Sequence, residues 1–527
     1  MSTPSGLPTA DPLENQSRAA SEHQLVRGLG LFSSTAIVIG SMIGSGIFIV
    51  SADISRLVDS PALMIAAWLV TAVMTIIAAL SYGELAAMMP HAGGQYIYLR
   101  EAFGPLWGFL YGWTLFLVIQ TGTIAAVAVG FGKYLGTFIP SISSTTWLWH
   151  IATVPSFKVG PMAMGNMEIG VSSANLVAVI IIALLTVVNI FGVKLGAIIQ
   201  NIFSTAKVAA LLGLVGFGLL LGRNAQAVAA NFGPHWHAFW HNASFSVLHP
   251  VEVGVGGPTA LVGVFTVIAI VQVGSLFSAD AWNNVTFTAG EVRNPSRNLP
   301  LSLAIGCGVV LLLYILANFV YLCALPLHGD PNGTTLAARG IQYATEDRVA
   351  TAVLEQTFHS AGAYVMAAAI LISTFGCNNG MILAGARVYY AMSHDGLFFK
   401  AAAKLHPRYK TPVASLIVQS IWACVLCLSG SYGQLLDFTM FAQLLFYILT
   451  IGGLFVLRRT QPNAERPYKA FGYPVLPAIY ILMTAWICIV LLRYKPQYTW
   501  PGLAIVLLGV PVYFLWSASS RKQAKSV

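Results

Sequence analysis

The chain has 527 residues, of which 57% are hydrophobic and only 9% are charged, whereas soluble domains carry roughly 25% charged residues. This composition excludes a soluble globular domain. Runs of about 20 apolar residues recur along the chain, and that is the length a helix needs to cross a bilayer.

These runs predict an all-α polytopic membrane protein with twelve transmembrane helices, numbered here as spans 1 to 12. Their approximate ranges are 30–52, 61–89, 105–139, 172–192, 196–221, 259–287, 300–325, 361–392, 412–430, 434–459, 473–493 and 499–517. We expect a disordered cytoplasmic tail (1–29), a first five-helix repeat (30–221), an external loop (222–258), a second five-helix repeat (259–459), helices 11 and 12 (460–517) and a cytoplasmic tail (518–527).

The net charge of +9 indicates orientation and not nucleic-acid binding. With both termini inside, eighteen of the 27 Lys and Arg residues lie on the cytoplasmic side, seven lie outside and two lie within spans. This is the positive-inside bias of membrane proteins. We therefore expect a multi-pass protein of the plasma (inner) membrane with cytoplasmic termini.

Span 1 is interrupted at its centre by Gly40, Ser41, Gly44, Ser45 and Gly46. Each central glycine costs roughly 1 kcal/mol of helix propensity relative to alanine, and an unwound turn in hydrocarbon must find partners or line a polar cavity. If a helix restarts near Gly44, its first amides carry the positive end of a helix dipole. Such a helix end is a receptor for a carboxylate.

Two charged residues of spans 2 and 5 are candidates for specific roles. Glu84, near the cytoplasmic end of span 2, either pairs with a basic loop residue as part of a gate or extends to the interface. Lys207 lies about one-third of the way into span 5, where an ammonium is costly unless it meets carbonyls or a carboxylate. We interpret Lys207 as functional, and a structural lysine bonded to the carbonyls of a broken helix is a compatible alternative.

The loop at 222–258 carries His235, His237 and His241 among aromatic residues. This spacing permits a zinc site, but a wet aromatic loop at the interface is the commoner explanation. All six cysteines lie in or at the ends of predicted spans, so no disulfide framework is indicated. We predict no metal and no cofactor.

Span 6 contains a second interruption, where Asp280 sits mid-span beside Gly274, Ser275, Ser278 and Asn283. Corresponding breaks in the two halves of a transporter are the best sequence indication of its binding site. The offset of five spans places the halves in inverted orientations.

Six segments together resemble the amino acid–polyamine–organocation transporter family, and most closely its L-type amino acid transporter branch. They cover the chain from span 1 to span 11: G-S-M-I-G-S-G-I-F (40–48), F-S-A-D-A-W-N (277–283), E-V-R-N-P-S-R-N-L-P (291–300), A-R-V-Y-Y-A-M-S-H-D-G (386–396), L-H-P-R-Y-K-T-P (405–412) and E-R-P-Y-K (465–469).

The resemblance implies five plus five inverted helices, two peripheral helices, and alternating access to a site for an α-amino acid. It places the substrate carboxylate on the amides of Ser45 and Gly46 and the ammonium on carbonyls of Met42, Phe277 and Asp280. The implied substrate-binding set is Met42, Gly44, Ser45, Gly46, Phe277, Ser278 and Asp280.

The resemblance also gives roles to two single side chains. The Phe277 ring serves as a gate, and Lys207 is held against the broken first helix where sodium-coupled relatives of the fold place a cation. Transport without sodium is the expectation that follows.

Three departures from the family pattern matter. The external loop 140–171 lacks the cysteine by which animal members join a glycoprotein subunit, so we expect a stand-alone bacterial protein without a disulfide-linked heavy chain. Ala281 stands where a glycine is common and narrows the pocket. Asp280 replaces a small residue, so its carboxylate faces a cationic group of the substrate, carries a proton, or bonds a neighbouring Ser or Asn.

We therefore predict a secondary transporter that exchanges or takes up L-α-amino acids. The alternative within transport, suggested by Asp280, is a proton-coupled importer of cationic amino acids or polyamines. A membrane receptor with a transporter-like fold is the remote alternative, and an enzyme is not expected because the intramembrane ionisable residues form no evident catalytic pair.

Overall fold

The computed structural model describes residues 27–143, 146–155, 157–159, 162–164, 167–233, 236, 258–428 and 432–524. In this part of the chain, ten helical segments are long and apolar enough to cross a membrane, and two shorter apolar stretches, Gly263–Ser278 within a longer helix and the helix Val413–Cys427, complete a set of twelve spans. The predicted all-α, multi-pass architecture is confirmed.

Spans 1 and 6 are each broken into two helices, which we call 1a and 1b, and 6a and 6b. The helix bounds are Leu31–Met42 (1a), Gly46–Val58 (1b), Pro61–Met88 (span 2), Pro105–Thr114 and Gln120–Leu135 with a π turn between them (span 3), Ser173–Ile190 (span 4), Val193–Leu220 (span 5), Pro258–Ser278 (6a), Asn284–Phe287 (6b), Pro295–Ala324 (span 7), Val349–His394 (span 8), Val413–Cys427 (span 9), Tyr432–Thr460 (span 10), Val475–Tyr494 (span 11) and Pro496–Ala524 (span 12). Shorter helices at Gln95–Phe103, Ala225–Phe232 and Leu336–Arg339 lie in the connections.

Local sequence signals set where several spans begin. Ser60 caps span 2 by accepting a hydrogen bond from the Leu63 amide, and Pro61 occupies the first helical position, where no amide hydrogen is needed. Ser172 caps span 4 in the same way through the Asn175 amide. These side chains satisfy amides that the helix itself leaves without a partner.

The structure differs from the prediction at four places. Span 8 begins at Val349, twelve residues before the predicted boundary, because a separate helical segment joins it through a kink at His359. The loop at 140–171 forms two antiparallel hairpins, Trp147–Val154 with Met167–Ser172 and Phe157–Val159 with Met162–Met164.

The other two differences concern the predicted tails. Residues 1–26 lie outside the described part of the chain, but Gly28 and Leu29 are ordered because their amides bond the Glu291 carbonyl. At the other end, span 12 continues as helix to Ala524, beyond the predicted tail boundary at 518.

The bundle has two faces, which we name by the ends of span 1. The amino face contains the start of helix 1a, and the opposite face contains the end of helix 1b at Val58. The segment 326–348, between spans 7 and 8, therefore lies at the opposite face, and the connection between spans 10 and 11 lies at the amino face.

Candidate functional site

The interruption of span 1 leaves a helix amino terminus in the interior of the bundle. Helix 1a ends at Met42, Ile43 is extended, and helix 1b begins at Gly46, whose preceding residue Ser45 does not cap the helix with its own side chain. Every residue from Gly40 to Val50 is buried. The first amides of helix 1b thus concentrate partial positive charge in a region with little water.

Side chains from other spans bond the carbonyl groups that this interruption releases. Lys207 Nζ donates to Gly40 O (2.6 Å) and Ile43 O (2.8 Å). The remaining donors are Cys377 Sγ to Ser41 O (3.0 Å), Tyr314 OH to Met42 O (3.1 Å), and Ser373 Oγ to Ile43 O (3.1 Å) and Gly44 O (3.2 Å). Since unbonded carbonyls in hydrocarbon are costly, these contacts are what make the break stable.

Lys207 is 1% exposed, and no carboxylate within the described ranges lies at ion-pair distance from it. Its ammonium is held by carbonyl dipoles of the span 1 break instead. These contacts match a lysine held against the broken first helix, as the resemblance implies. They equally match the alternative in which Lys207 only stabilises the break. A part in the transport cycle stays a prediction.

Span 6 breaks immediately after Ser278, at the level of the span 1 break. The chain continues through Ala281, which adopts the left-handed conformation (φ 63°), and becomes helical again at Asn284. A side chain at positive φ costs roughly 1–2 kcal/mol, which glycine avoids. A glycine at this position would adopt the same turn without that cost.

The two breaks are in direct contact. A Cβ atom added at Gly46 would lie 2.3 Å from Ser278 Oγ and 3.0 Å from Ser278 Cα, so only glycine permits this approach. The Tyr314 hydroxyl lies 3.1 Å from Met42 O and 3.0 Å from Ser278 O. Because a hydroxyl has one proton, Tyr314 bonds one break at a time and connects the two.

The structure therefore brings together most of the residues that the sequence singled out. Met42, Gly44, Ser45 and Gly46 form or flank the first break, and Phe277 and Ser278 end helix 6a beside it. Phe277 is buried, as a gate in its closed position would be. Binding and gating by these residues stay predictions.

Asp280 lies in a different environment. Its carboxylate accepts a hydrogen bond from Tyr447 OH (2.5 Å) and lines a small cavity with residues of spans 2, 10 and 11, such as Thr75 and Tyr480. No residue of span 1 lines this cavity. Within the described ranges, no cation lies at ion-pair distance from Asp280. The sequence left three interpretations of the Asp280 carboxylate open. The third, a hydrogen bond to a neighbouring Ser or Asn, is not observed among the described residues, and the carboxylate is bonded to Tyr447 instead.

Three participants were not identified from the sequence as partners of span 1. Tyr314 carried no signal, because a tyrosine in an apolar span is ordinary. Ser373 and Cys377 belong to the polar centre of span 8, which is visible in the sequence. Each is separated from its partner in span 1 by more than 300 residues along the chain, so the contacts themselves were not predictable.

Buried ion pairs join the spans at the amino face. Arg387 and Glu291, each 1% exposed, pair at 3.1 Å. Glu84, fully buried, pairs with Arg458 (2.5 Å) and Arg466 (3.3 Å) and accepts a bond from the Ala470 amide. Of the two interpretations of Glu84, the pairing with basic residues is the one observed.

At the opposite face, the segment 326–348 is bonded to the end of helix 1b. Arg56 pairs with Asp347 (2.8 Å) and donates to Gln342 O (2.6 Å). Asp59 accepts a bond from Gln342 (2.7 Å) and pairs with His328 (3.0 Å). The hydrogen bond to Asp59 raises the pKa of His328.

The six cysteines are free thiols, and five of them are buried. In the described ranges, no group of three metal-ligating side chains is found. His235, His237 and His241 lie outside the described residues, so the histidine loop stays a prediction.

Comparisons with known proteins agree with this architecture. The chain is 28% identical over 491 residues to the large neutral amino acids transporter small subunit 2 of Mus musculus, covering 93% of this chain and 81% of the relative. It is also 28% identical over 504 residues to the b(0,+)-type amino acid transporter 1 of Homo sapiens, covering 95% and 90%. The sequence profile described as amino acid permease matches residues 29–512, and the chain therefore belongs to the amino acid permease family.

Proposed function

We propose that this protein exchanges L-α-amino acids across the membrane by alternating access, without sodium. The observation that carries the proposal is the amino terminus of helix 1b lying, in the buried interior of the bundle, against the carboxyl end of helix 6a. One end offers amides to a carboxylate and the other offers carbonyls to an ammonium. An α-amino acid carries both groups on neighbouring atoms.

In this proposal the α-carboxylate binds the amides of Ser45 and Gly46. The α-ammonium binds carbonyls of Met42, Phe277 and Asp280, of which Met42 O now accepts the Tyr314 hydroxyl. The substrate displaces that bond, and the Phe277 ring closes over the site.

Independence from sodium is supported by Lys207. Its ammonium already occupies two carbonyl oxygens at the span 1 break, and a metal cation at the same oxygens would be repelled by the fixed positive charge.

We propose further that the amino face is cytoplasmic, because the basic residues concentrate there. We also propose that the protein acts without a disulfide-linked heavy chain, because the segment 140–171 contains no cysteine.

The test is counterflow of labelled L-leucine in liposomes that contain the purified protein, in sodium-free buffer. Leucine is the probe because the name of one relative specifies large neutral amino acids. Accumulation of label against unlabelled leucine inside is expected. Its absence, with leucine binding retained, would favour a receptor, and a competition screen of twenty amino acids would define the substrate range.

A second candidate function, a proton-coupled importer of cationic amino acids or polyamines, is favoured by one observation. Asp280 is 7% exposed, and among the described residues its carboxylate is bonded by Tyr447 and not by a cation. A buried charge without a counter-ion is unfavourable, so a proton or a cationic substrate group would complete this site.

Asp280→Asn tests the second candidate, with Tyr447→Phe as the control that removes only the hydrogen bond. Loss of arginine or polyamine uptake and of its pH dependence in Asp280→Asn, but not in Tyr447→Phe, is expected if this candidate is correct. Unchanged cationic uptake and unchanged pH dependence in Asp280→Asn would eliminate it.

A further inference from the structure

A second polar cavity lies at the opposite face, apart from the two helix breaks. It has a volume of about 870 Å³ and lies between the segment 326–348 and the ends of spans 3 and 8 at the opposite face. This is within the roughly 300–1,000 Å³ of small-molecule sites. Hydroxyl groups form much of its lining: Thr137, Thr334, Thr335, Thr345, Thr351 and Ser360.

Two opposite charges share this cavity without neutralising each other. Arg339 and Glu355 both line it, and neither takes part in an ion pair within the part of the chain that the structure describes. Among the described residues, Arg339 donates only to neutral oxygens, the Gly333 carbonyl (2.8 Å) and the Thr345 hydroxyl (3.4 Å). One positive and one negative group, both half-buried, are thus available to a ligand.

Two further residues of the lining have polar atoms without hydrogen-bond partners in the described chain. The Thr351 hydroxyl and Arg348 Nε are both buried and unsatisfied. The rest of the Arg348 guanidinium is used, because it pairs with Glu346 (2.6 Å) and donates to Lys133 O (2.9 Å). Arg348 is therefore neutralised, and Arg339 is the cation left for a ligand.

We propose that this cavity is a recruitment site for a free α-amino acid, with the carboxylate on Arg339 and the ammonium on Glu355. Leu336, Ala352 and Tyr364 provide apolar surface for the substrate side chain. A dipolar ligand matches a cavity with one charge of each sign, whereas an anion or a cation alone would leave one of them unpaired.

The position of the cavity suits recruitment. Thr345, which bonds Arg339, begins the turn Thr345–Asp347, and Asp347 holds Arg56 at the end of helix 1b. A ligand in the cavity therefore lies beside the contact that joins the segment 326–348 to span 1. The inference rests on the proposed function, because it assigns a second site to the same substrate class.

The first experiment measures L-leucine uptake from each side of the membrane, in cells and in inverted vesicles. For Arg339→Gln and Glu355→Gln we expect the apparent KM on the side of the cavity to rise about fivefold, as for loss of a partly solvated charge-assisted hydrogen bond. The maximal rate and the KM on the other side should stay unchanged. Asp330→Asn is the matched control, since it lies in the same segment, does not line the cavity and keeps the oxygen that accepts the Asn332 amide.

The second experiment detects occupancy directly. Ser360 is exposed and lines the cavity, while the native cysteines lie within the spans, so Ser360→Cys gives one accessible thiol for a membrane-impermeant reagent. We expect L-leucine to slow labelling of this thiol about fivefold. The same protection is expected when Gly46→Val is added to block the central site. No protection is expected when Glu355→Gln is added. The protection should persist in liposomes that lack zwitterionic lipids, which excludes a lipid headgroup as the ligand.

Each negative result has a distinct meaning. A wild-type chain without counterflow would refute the proposed function. A wild-type chain that transports leucine, with variants of normal KM on the cavity side, would refute the recruitment site alone. Protection that disappears with Gly46→Val would also refute it, because the effect would then come from the central site. The uptake measurement decides the matter if the Gly46→Val chain does not reach the membrane.

Discussion

Replacement of Lys207 by methionine tests the central site most directly, because methionine keeps the length of the side chain and removes its charge. In the native chain Lys207 donates to Gly40 O and Ile43 O. Ile43 O keeps the hydroxyl of Ser373 in the variant, whereas no second donor to Gly40 O is observed in the described residues. An unsatisfied buried carbonyl costs about 1–3 kcal/mol.

The span 1 break should therefore shift toward conformations in which Gly40 O finds another partner, and these misplace the amides of helix 1b. A shift of about 2 kcal/mol reduces the competent population roughly thirtyfold. We expect leucine counterflow to fall at least tenfold while the variant still reaches the membrane.

Lys133→Met is the matched control, since Lys133 is the other lysine within a predicted span. Among the described residues its ammonium takes part in no hydrogen bond, and the bond from Arg348 goes to its backbone carbonyl. Counterflow in Lys133→Met should stay within about twofold of the wild type. Counterflow at the wild-type rate in Lys207→Met would show that the ammonium neither supports the break nor contributes to transport.

Three other predictions follow from contacts described above. Gly46→Ala should abolish leucine transport, because its Cβ would overlap Ser278 Oγ. Adding Ser278→Gly should restore transport only partly, since the Cα atom of residue 278 remains 3.0 Å away. Full transport in Gly46→Ala would contradict the close approach of the two helix ends. Arg387→Met should lower the free energy of unfolding by about 3–5 kcal/mol because Glu291 is left buried and unpaired. Thermal melting should show that adding Glu291→Gln restores much of the lost stability. Because the pKa of His328 is raised in the folded state, its contact with the end of helix 1b is fully present below about pH 6.5 and weakens as the pH rises through the folded-state pKa. Amide hydrogen exchange of the segment 326–348 should therefore increase over that pH range. The increase should vanish in His328→Gln.

The sequence by itself determined the membrane architecture and the positions of the two breaks. Transfer of apolar segments into hydrocarbon depends on the composition of each contiguous run, so twelve spans were identifiable without a structure. Helix propensity is equally local, and the glycines around Gly44 and the polar residues around Asp280 therefore marked both interruptions. Lys207 was identifiable because a charge at its depth requires a partner.

Only the tertiary structure decided which groups meet. Tyr314 and Ser373 bond the carbonyls of span 1 from spans 7 and 8, and no local pattern encodes a contact over about 300 residues. The direction of the Asp280 side chain, toward Tyr447 and not toward span 1, depends on the left-handed turn at Ala281 and on the packing of span 10. Burial and propensity act along a segment, but hydrogen-bond partners are chosen between segments, and that choice exists only once the spans have packed together.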